Sequence, residues 1–202
     1  MLPLAALCQY TDTDGMNSTS LARQLLVAMP QLADPGFEQS VTYIIDHSEE
    51  GAMGLTLNRP TSLTLAEILQ DIGISQDGPL SGRHQVLSGG PVQQEAGFIL
   101  HPPCAQEWDA SEELEAGLWL TTSMDVLEAI ARGEGPEQSL IILGYAGWDA
   151  GQLEQELADN AWLTTPASLE LIFEVPFAQR WQAAARQLGV DMSLISTQAG
   201  RA

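Results

Sequence analysis

The chain has 202 residues, with 27 acidic against 7 basic side chains, a formal net charge of −20 and 45% hydrophobic residues. That length can bury a substantial core, and the charge opposes binding to a nucleic-acid backbone or an anionic membrane surface. All seven basic residues are arginines and lysine is absent, which excludes a phosphate-loop lysine, a Schiff-base lysine and a kinase-type strand lysine.

Cys8 and Cys104 are the only cysteines. They supply neither a disulfide framework nor a Cys-x-x-Cys pair, which fits a reducing, cytoplasmic setting. The segment 1–8 lacks the positive n-region of an export signal and carries Pro3 within a short apolar stretch. No apolar run approaches the length of a membrane span. Residues 1–16 are expected to form a disordered leader, with Met16 as an alternative start, and 17–202 a single domain.

From Gln24 onward, short apolar runs alternate with turn signals. Residues 24–29 (QLLVAM) read as a buried strand ended by Pro30, because proline donates nothing to a ladder. Residues 41–46 (VTYIID) and 52–58 (AMGLTLN) flank a glycine-containing turn and predict a β-hairpin. Thr64 and Glu67 have capping-box spacing, followed by Leu65, Ile68, Leu69 and Ile72 on one helical face. Strands are expected at 85–87, 97–101, 118–121, 140–145 and 169–175. Helices are expected at 125–132, capped by Ser123 and stopped by Gly133, at 150–159 behind an Asp149/Gln152 capping box, and at 177–188 before Gly189. The stretches 76–82 and 102–113 read as long loops. Strands outnumber helices without strict βαβ alternation, so the class is α+β.

Familiar catalytic patterns fail. Ser88 lacks the flanking glycines of a nucleophile elbow, and Gly89-Gly90-Pro91 opens no dinucleotide-binding helix. Joining His47-Ser48-Glu49 to Pro103-Cys104 gives an incomplete zinc-deaminase pattern. His47, His84 and His101 have no ligand spacing and read as hydrogen-bonded structural side chains. No catalytic residue, metal site or cofactor is assigned.

Arg59, in Asn58-Arg59-Pro60 at a strand end, can fork onto a carboxylate of the protein or of a ligand. Glycines at 89 and 90 would let a ligand approach the backbone, and Tyr145 or Trp148 would wall it. Asn58, Arg59, Gly89, Gly90, Tyr145 and Trp148 are therefore the candidate ligand-binding residues, alongside their purely structural readings: a salt bridge, a turn and core packing.

The segments LLVAMPQLADPGFEQSV (25–41), YIIDHSEEGAMGLTLNRP (43–60), SGGPVQ (88–93), GFILH (97–101), SMDVLEAIARGEGP (123–136) and LGYAGWDAGQLEQELADNAWL (143–163) resemble the bacterial AlgH/YqgE family. The resemblance covers nearly everything from about residue 20 onward, leaving out 1–15. It implies an α+β fold whose bifurcated, mostly antiparallel sheet forms a pseudo-barrel flanked by about four helices. It also implies a cytosolic bacterial protein without an assigned molecular activity, in a family named for a proposed role in transcriptional regulation. The leading expectation is a regulator acting through a protein or small-molecule partner. Direct DNA binding is disfavoured, since the helices around 125–132 and 150–159 contribute only Arg132. The alternative is a sensor or enzyme with a small-anion site around Arg59.

Overall fold

In the computed structural model, residues 20–195 are described apart from 33, 77–79, 81–83 and 116; the expected leader lies outside them. The described residues form nine strands: β1 (Gln24–Ala28), β2 (Val41–Ser48), β3 (Gly51–Thr56), β4 (His84–Ser88), β5 (Val92–His101), β6 (Ser111–Glu115), β7 (Leu118–Thr121), β8 (Ser139–Asp149) and β9 (Trp162–Pro166). Four α-helices accompany them: α1 (Leu65–Asp71), α2 (Asp125–Arg132), α3 (Gln152–Ala158) and α4 (Phe177–Gln187). A π-helical segment, Glu170–Glu174, and a short 3-10 turn, Met192–Leu194, complete the set.

Strand periodicity explains how the sheet can be apolar on both sides. Successive side chains leave a strand on opposite faces. In β1, Leu25 and Val27 enter one buried cluster while Leu26 and Ala28 enter another. In β8, Leu140 and Ile142 face that first cluster while Ile141 meets Val126 and Ile130 of α2. The runs QLLVA and SLIIL are thus continuous rather than alternating because helices or a second sheet wall cover each side. α4 closes the inner cluster through Ala184 and Ala185, and its Trp181 donates its indole N–H to the Ala28 carbonyl at 2.7 Å.

The strands run in the order β6-β7-β5-β8-β3-β2-β1-β9, and the sheet curls into a half-barrel. Every pairing is antiparallel except that of β4 with β8. Along one edge of β8, residues 139–143 pair with β4 and residues 146–149 pair with β3. β5 holds the other edge. The sheet therefore forks at Gly144, whose φ of 71° is disfavoured for a residue with a side chain. Gly89 spans the fork: its N–H donates to the Leu143 carbonyl at 2.8 Å and its carbonyl accepts from Thr56 N–H at 2.9 Å.

Several local expectations change. Residues 169–175 are π-helical over 170–174 rather than a strand. Leu171 N–H bonds to Ser168 Oγ at 3.2 Å, and Leu171 and Ile172 are buried against the core. The sheet edge beside β1 is held instead by β9, a strand not expected from its Trp-Leu-Thr-Thr run. The expected loop 102–113 ends in edge strand β6, with the exposed Glu112 and Glu113 marking a water-facing edge. β8 continues through 146–149, beyond the expected end at Tyr145. Asp149 ends β8 rather than capping α3. Its N–H bonds to Gln152 Oε1 at 3.0 Å, while the N-cap is Gly151, with φ 74°. At α2 the N-cap is Met124, and Ser123 instead donates its hydroxyl to Asp125. The Thr64/Glu67 capping box forms as expected, with Glu67 N–H donating to Thr64 Oγ1 at 3.3 Å and Thr64 N–H to Glu67 at 2.8 Å.

Candidate functional site

The corner after β3 holds Asn58 and Arg59. Asn58 accepts from Val41 N–H at 2.9 Å and donates to the Gln39 carbonyl at 2.8 Å, so it tethers the loop that precedes β2. The Arg59 guanidinium donates to the backbone carbonyls of Glu38 and Gly36. No protein carboxylate pairs with it among the described residues, so the expected salt bridge is replaced by carbonyls. Its Nε is buried and without a partner.

The fork, not a ligand, occupies the space beside the glycine pair. A Cβ on Gly89 would lie 2.2 Å from the Gly144 oxygen, and one on Gly90 2.2 Å from the Tyr145 carbonyl carbon. Those glycines admit the chain's own β8 backbone. Tyr145 stacks edge-to-face on Phe98, with ring centroids 6.1 Å apart. Trp148, three residues further along β8, packs with Phe37 and Trp162 beneath α3. The structure thus brings Gly89, Gly90 and Tyr145 together at the fork and sets Asn58 and Arg59 beside it, with the Arg59 carbonyl accepting Ser88 N–H at 2.8 Å. None of the six lines any of the three cavities described next.

The largest of these cavities, about 620 Å³, lies between β4, β8, the π-helical segment and α4. Arg180 lines it and is 2% exposed. Its Nε donates to the Val175 carbonyl at 2.9 Å and its Nη1 to the Leu57 carbonyl. Its carbon centre sits 4.2 Å over the Phe177 ring. Two of the five guanidinium N–H groups are thereby used, and the rest find no protein acceptor among the described residues. No carboxylate pairs with it there either. Burial lowers its pKa to about 10, since removal from water disfavours the charged form. The walls are apolar at Leu140, Phe173 and Phe177, and Glu137 and Glu174 stand exposed at the rim. The π-helix helps to shape this wall: its wider turn carries Phe173 and Glu174 and leads into Val175. Nothing local in the sequence marks Arg180, one of seven arginines and set within the helix expected at 177–188.

A recess of about 140 Å³ lies beside His101, Cys104, Trp108 and Ser111. His101 Nδ1 faces the Pro102 carbonyl at 2.8 Å and so carries the proton, leaving Nε2 to accept from Thr121 Oγ1 at 2.8 Å. Thr121 in turn meets the Ser111 hydroxyl at 2.5 Å. Burial lowers the His101 pKa, against an opposing effect of the Pro102 carbonyl. The third cavity, about 330 Å³, separates α1 from β4. His84 Nδ1 pairs with Ser139 Oγ at 2.9 Å, and His47 Nε2 with Glu154 at 2.8 Å. Among the described residues no three His, Cys, Asp or Glu side chains group as metal ligands, and no helix is long and apolar enough to cross a membrane.

A family model described as AlgH-like matches residues 25–193. The chain belongs to the AlgH-like family. It is 68% identical over 185 residues to a UPF0301 protein of Alcanivorax borkumensis, covering 92% of this chain and 98% of that one. A UPF0301 protein of Thioalkalivibrio sulfidiphilus is 55% identical over 185 residues, with the same coverage. Among solved structures, the AlgH protein from Pseudomonas aeruginosa is 49% identical, covers 94% of this chain and 100% of that chain, and superposes with a TM-score of 0.71. A Corynebacterium diphtheriae protein shares the fold at 20% identity and a TM-score of 0.65, over 88% of this chain and 90% of that one.

Proposed function

We propose that this AlgH-like protein is a cytoplasmic, non-enzymatic binding module whose recess at Arg180 takes a small molecule bearing an anionic group. Any influence on transcription then passes through that ligand or a protein partner, not through direct contact with DNA. The observation that carries this reading is Arg180 itself, a buried cation without a counter-charge at the wall of the largest described cavity. An unpaired buried charge is unfavourable, and an incoming carboxylate or phosphate would supply both the charge and acceptors for the idle N–H groups. Against DNA contact, Arg132 on α2 is already engaged by Glu128 at 3.9 Å and Glu134 at 2.9 Å. Calorimetric and thermal-shift titration with a panel of small carboxylates, amino acids among them, and with phosphate tests the reading, and stabilisation of the wild-type chain by at least one anionic ligand is expected. A gel shift that survives competitor DNA at physiological salt would count against it.

A second reading keeps a small-anion sensor or enzyme site at Arg59. Its support is the buried, unpartnered Nε. Under that reading Arg59→Gln abolishes ligand-induced stabilisation while leaving the unliganded chain within about 1 kcal/mol of wild type.

A further inference from the structure

The charges around the Arg180 cavity are not those of a simple anion site. One cation, 2% exposed, lies in the wall, and an exposed carboxylate, Glu174, lines the same cavity at the rim. The whole chain carries a net charge of −20. Inorganic phosphate or a dicarboxylate would gain Arg180 but meet the Glu174 carboxylate, in a molecule that already repels anions. A purely cationic ligand would gain the rim and meet Arg180. Between the two charge types lie Phe173, Leu140 and Phe177, and the Phe177 face is already covered by Arg180. Phe173 is only partly buried, so its ring can cover an apolar body and attract a neighbouring ammonium.

We infer that the cavity selects a zwitterion of the amino-acid class: a carboxylate directed to Arg180, an ammonium directed to Glu174, and an apolar side chain against Phe173 and Leu140. The inference rests on the reading of Arg180 as a ligand-binding cation, and adds the second charge and the apolar body. A volume of about 620 Å³ holds one apolar amino acid with its waters or a very short peptide. It falls within the usual range of small-molecule sites. Glu174 closes the π-helical segment, so the irregular turn that places Val175 against Arg180 also places the opposing charge.

The test is a heteronuclear NMR titration of the full chain with L-phenylalanine, 3-phenylpropionate, phenethylamine and inorganic phosphate. L-Phenylalanine should shift the amides of 173–180 and Leu140, and bind about tenfold or more tighter than either single-charge analogue. Glu174→Gln changes an exposed side chain outside the core and should leave the fold intact. It should weaken L-phenylalanine severalfold and bring 3-phenylpropionate level with it. If wild type binds 3-phenylpropionate or phosphate as tightly as L-phenylalanine, the zwitterion assignment falls while the anionic recess stands. If no probe perturbs 173–180 at millimolar concentration, both fall.

Discussion

Trp148 and Trp162 donate their indole N–H groups to one oxygen, Oε2 of Glu156, at 2.9 and 2.7 Å. The tryptophans come from β8 and β9, and the carboxylate from α3 between them. Gln152 steadies its other oxygen at 2.9 Å. The aromatic cluster beneath α3 is therefore pinned by a single side chain. Glu156→Leu should destabilise by roughly 2–4 kcal/mol, because two buried donors lose their acceptor. Glu156→Gln, which keeps an acceptor oxygen, should stay within about 1 kcal/mol. Urea unfolding followed by tryptophan emission separates the two.

Arg180 joins α4 to the end of β3 as well as lining the cavity. Arg180→Ala strands the Leu57 and Val175 carbonyls and opens a void, so a loss of roughly 2–5 kcal/mol is expected in denaturant unfolding. Arg180→Lys retains the charge without the planar fork and should recover only part of that loss. A change below about 0.5 kcal/mol for Arg180→Ala would mean that the two carbonyls are satisfied by water.

The fork makes a steric prediction that side-chain chemistry does not touch. Gly89→Ala drives a methyl to 2.2 Å from the Gly144 oxygen, a backbone atom that cannot swing away, and should prevent folding or remove several kcal/mol. Gly97→Ala, with nothing within 4 Å and no positive φ, should be silent to within about 0.5 kcal/mol. Gly73→Ala, also uncrowded but at φ 77°, should fall between, at roughly 1 kcal/mol. Circular dichroism melts of the three variants give the ranking.

Stability should fall in two stages on acidification. Burial depresses the folded-state pKa of His101 and of His84 below the ordinary value of 6.5. The unfolded chain therefore binds protons first, and stability declines as pH drops below about 6.5. Glu67, through its hydrogen bonds from Thr64, and Asp125, where Ser123 and backbone N–H groups outweigh burial, have lowered carboxylate pKa values. Their contribution is present above the ordinary carboxylate range and is lost as pH falls through the folded values. His101→Gln should diminish the upper stage, leaving the His84 part of it and the lower stage in place. Urea midpoints measured between pH 8 and pH 3 test both parts.

What the sequence disclosed depended on the range of the interaction. The Thr64/Glu67 capping box, the Gly133 stop and the apolar strand cores are local, and each was legible from a few neighbouring residues. The π-helix at 170–174 was not, because LELIFEV has strand-like composition and its conformation is decided by Ser168 and by β9 already holding the sheet edge. The same limit governed the sites. Arg59 stood out beside a proline, yet its acceptors are carbonyls of a loop more than 20 residues away. Arg180 lay unmarked within a helix, and its significance comes from Leu57, separated from it by 123 positions. The family resemblance reached the fold but named no site.

One strand sets a schedule for synthesis. Among the named strands β4 pairs only with β8, which follows it by some fifty residues; its other backbone bonds go to the short segment 59–61, and β5 depends on β8 for most of its ladder. Until β8 has left the ribosome, the apolar strand 84–88 has only the short segment 59–61 beside it, and the fork at Gly144 cannot form. Nascent chains stalled before residue 139 should therefore remain protease-sensitive across 84–101 and bind holdase chaperones, then lose both properties together once β8 and α3 have emerged.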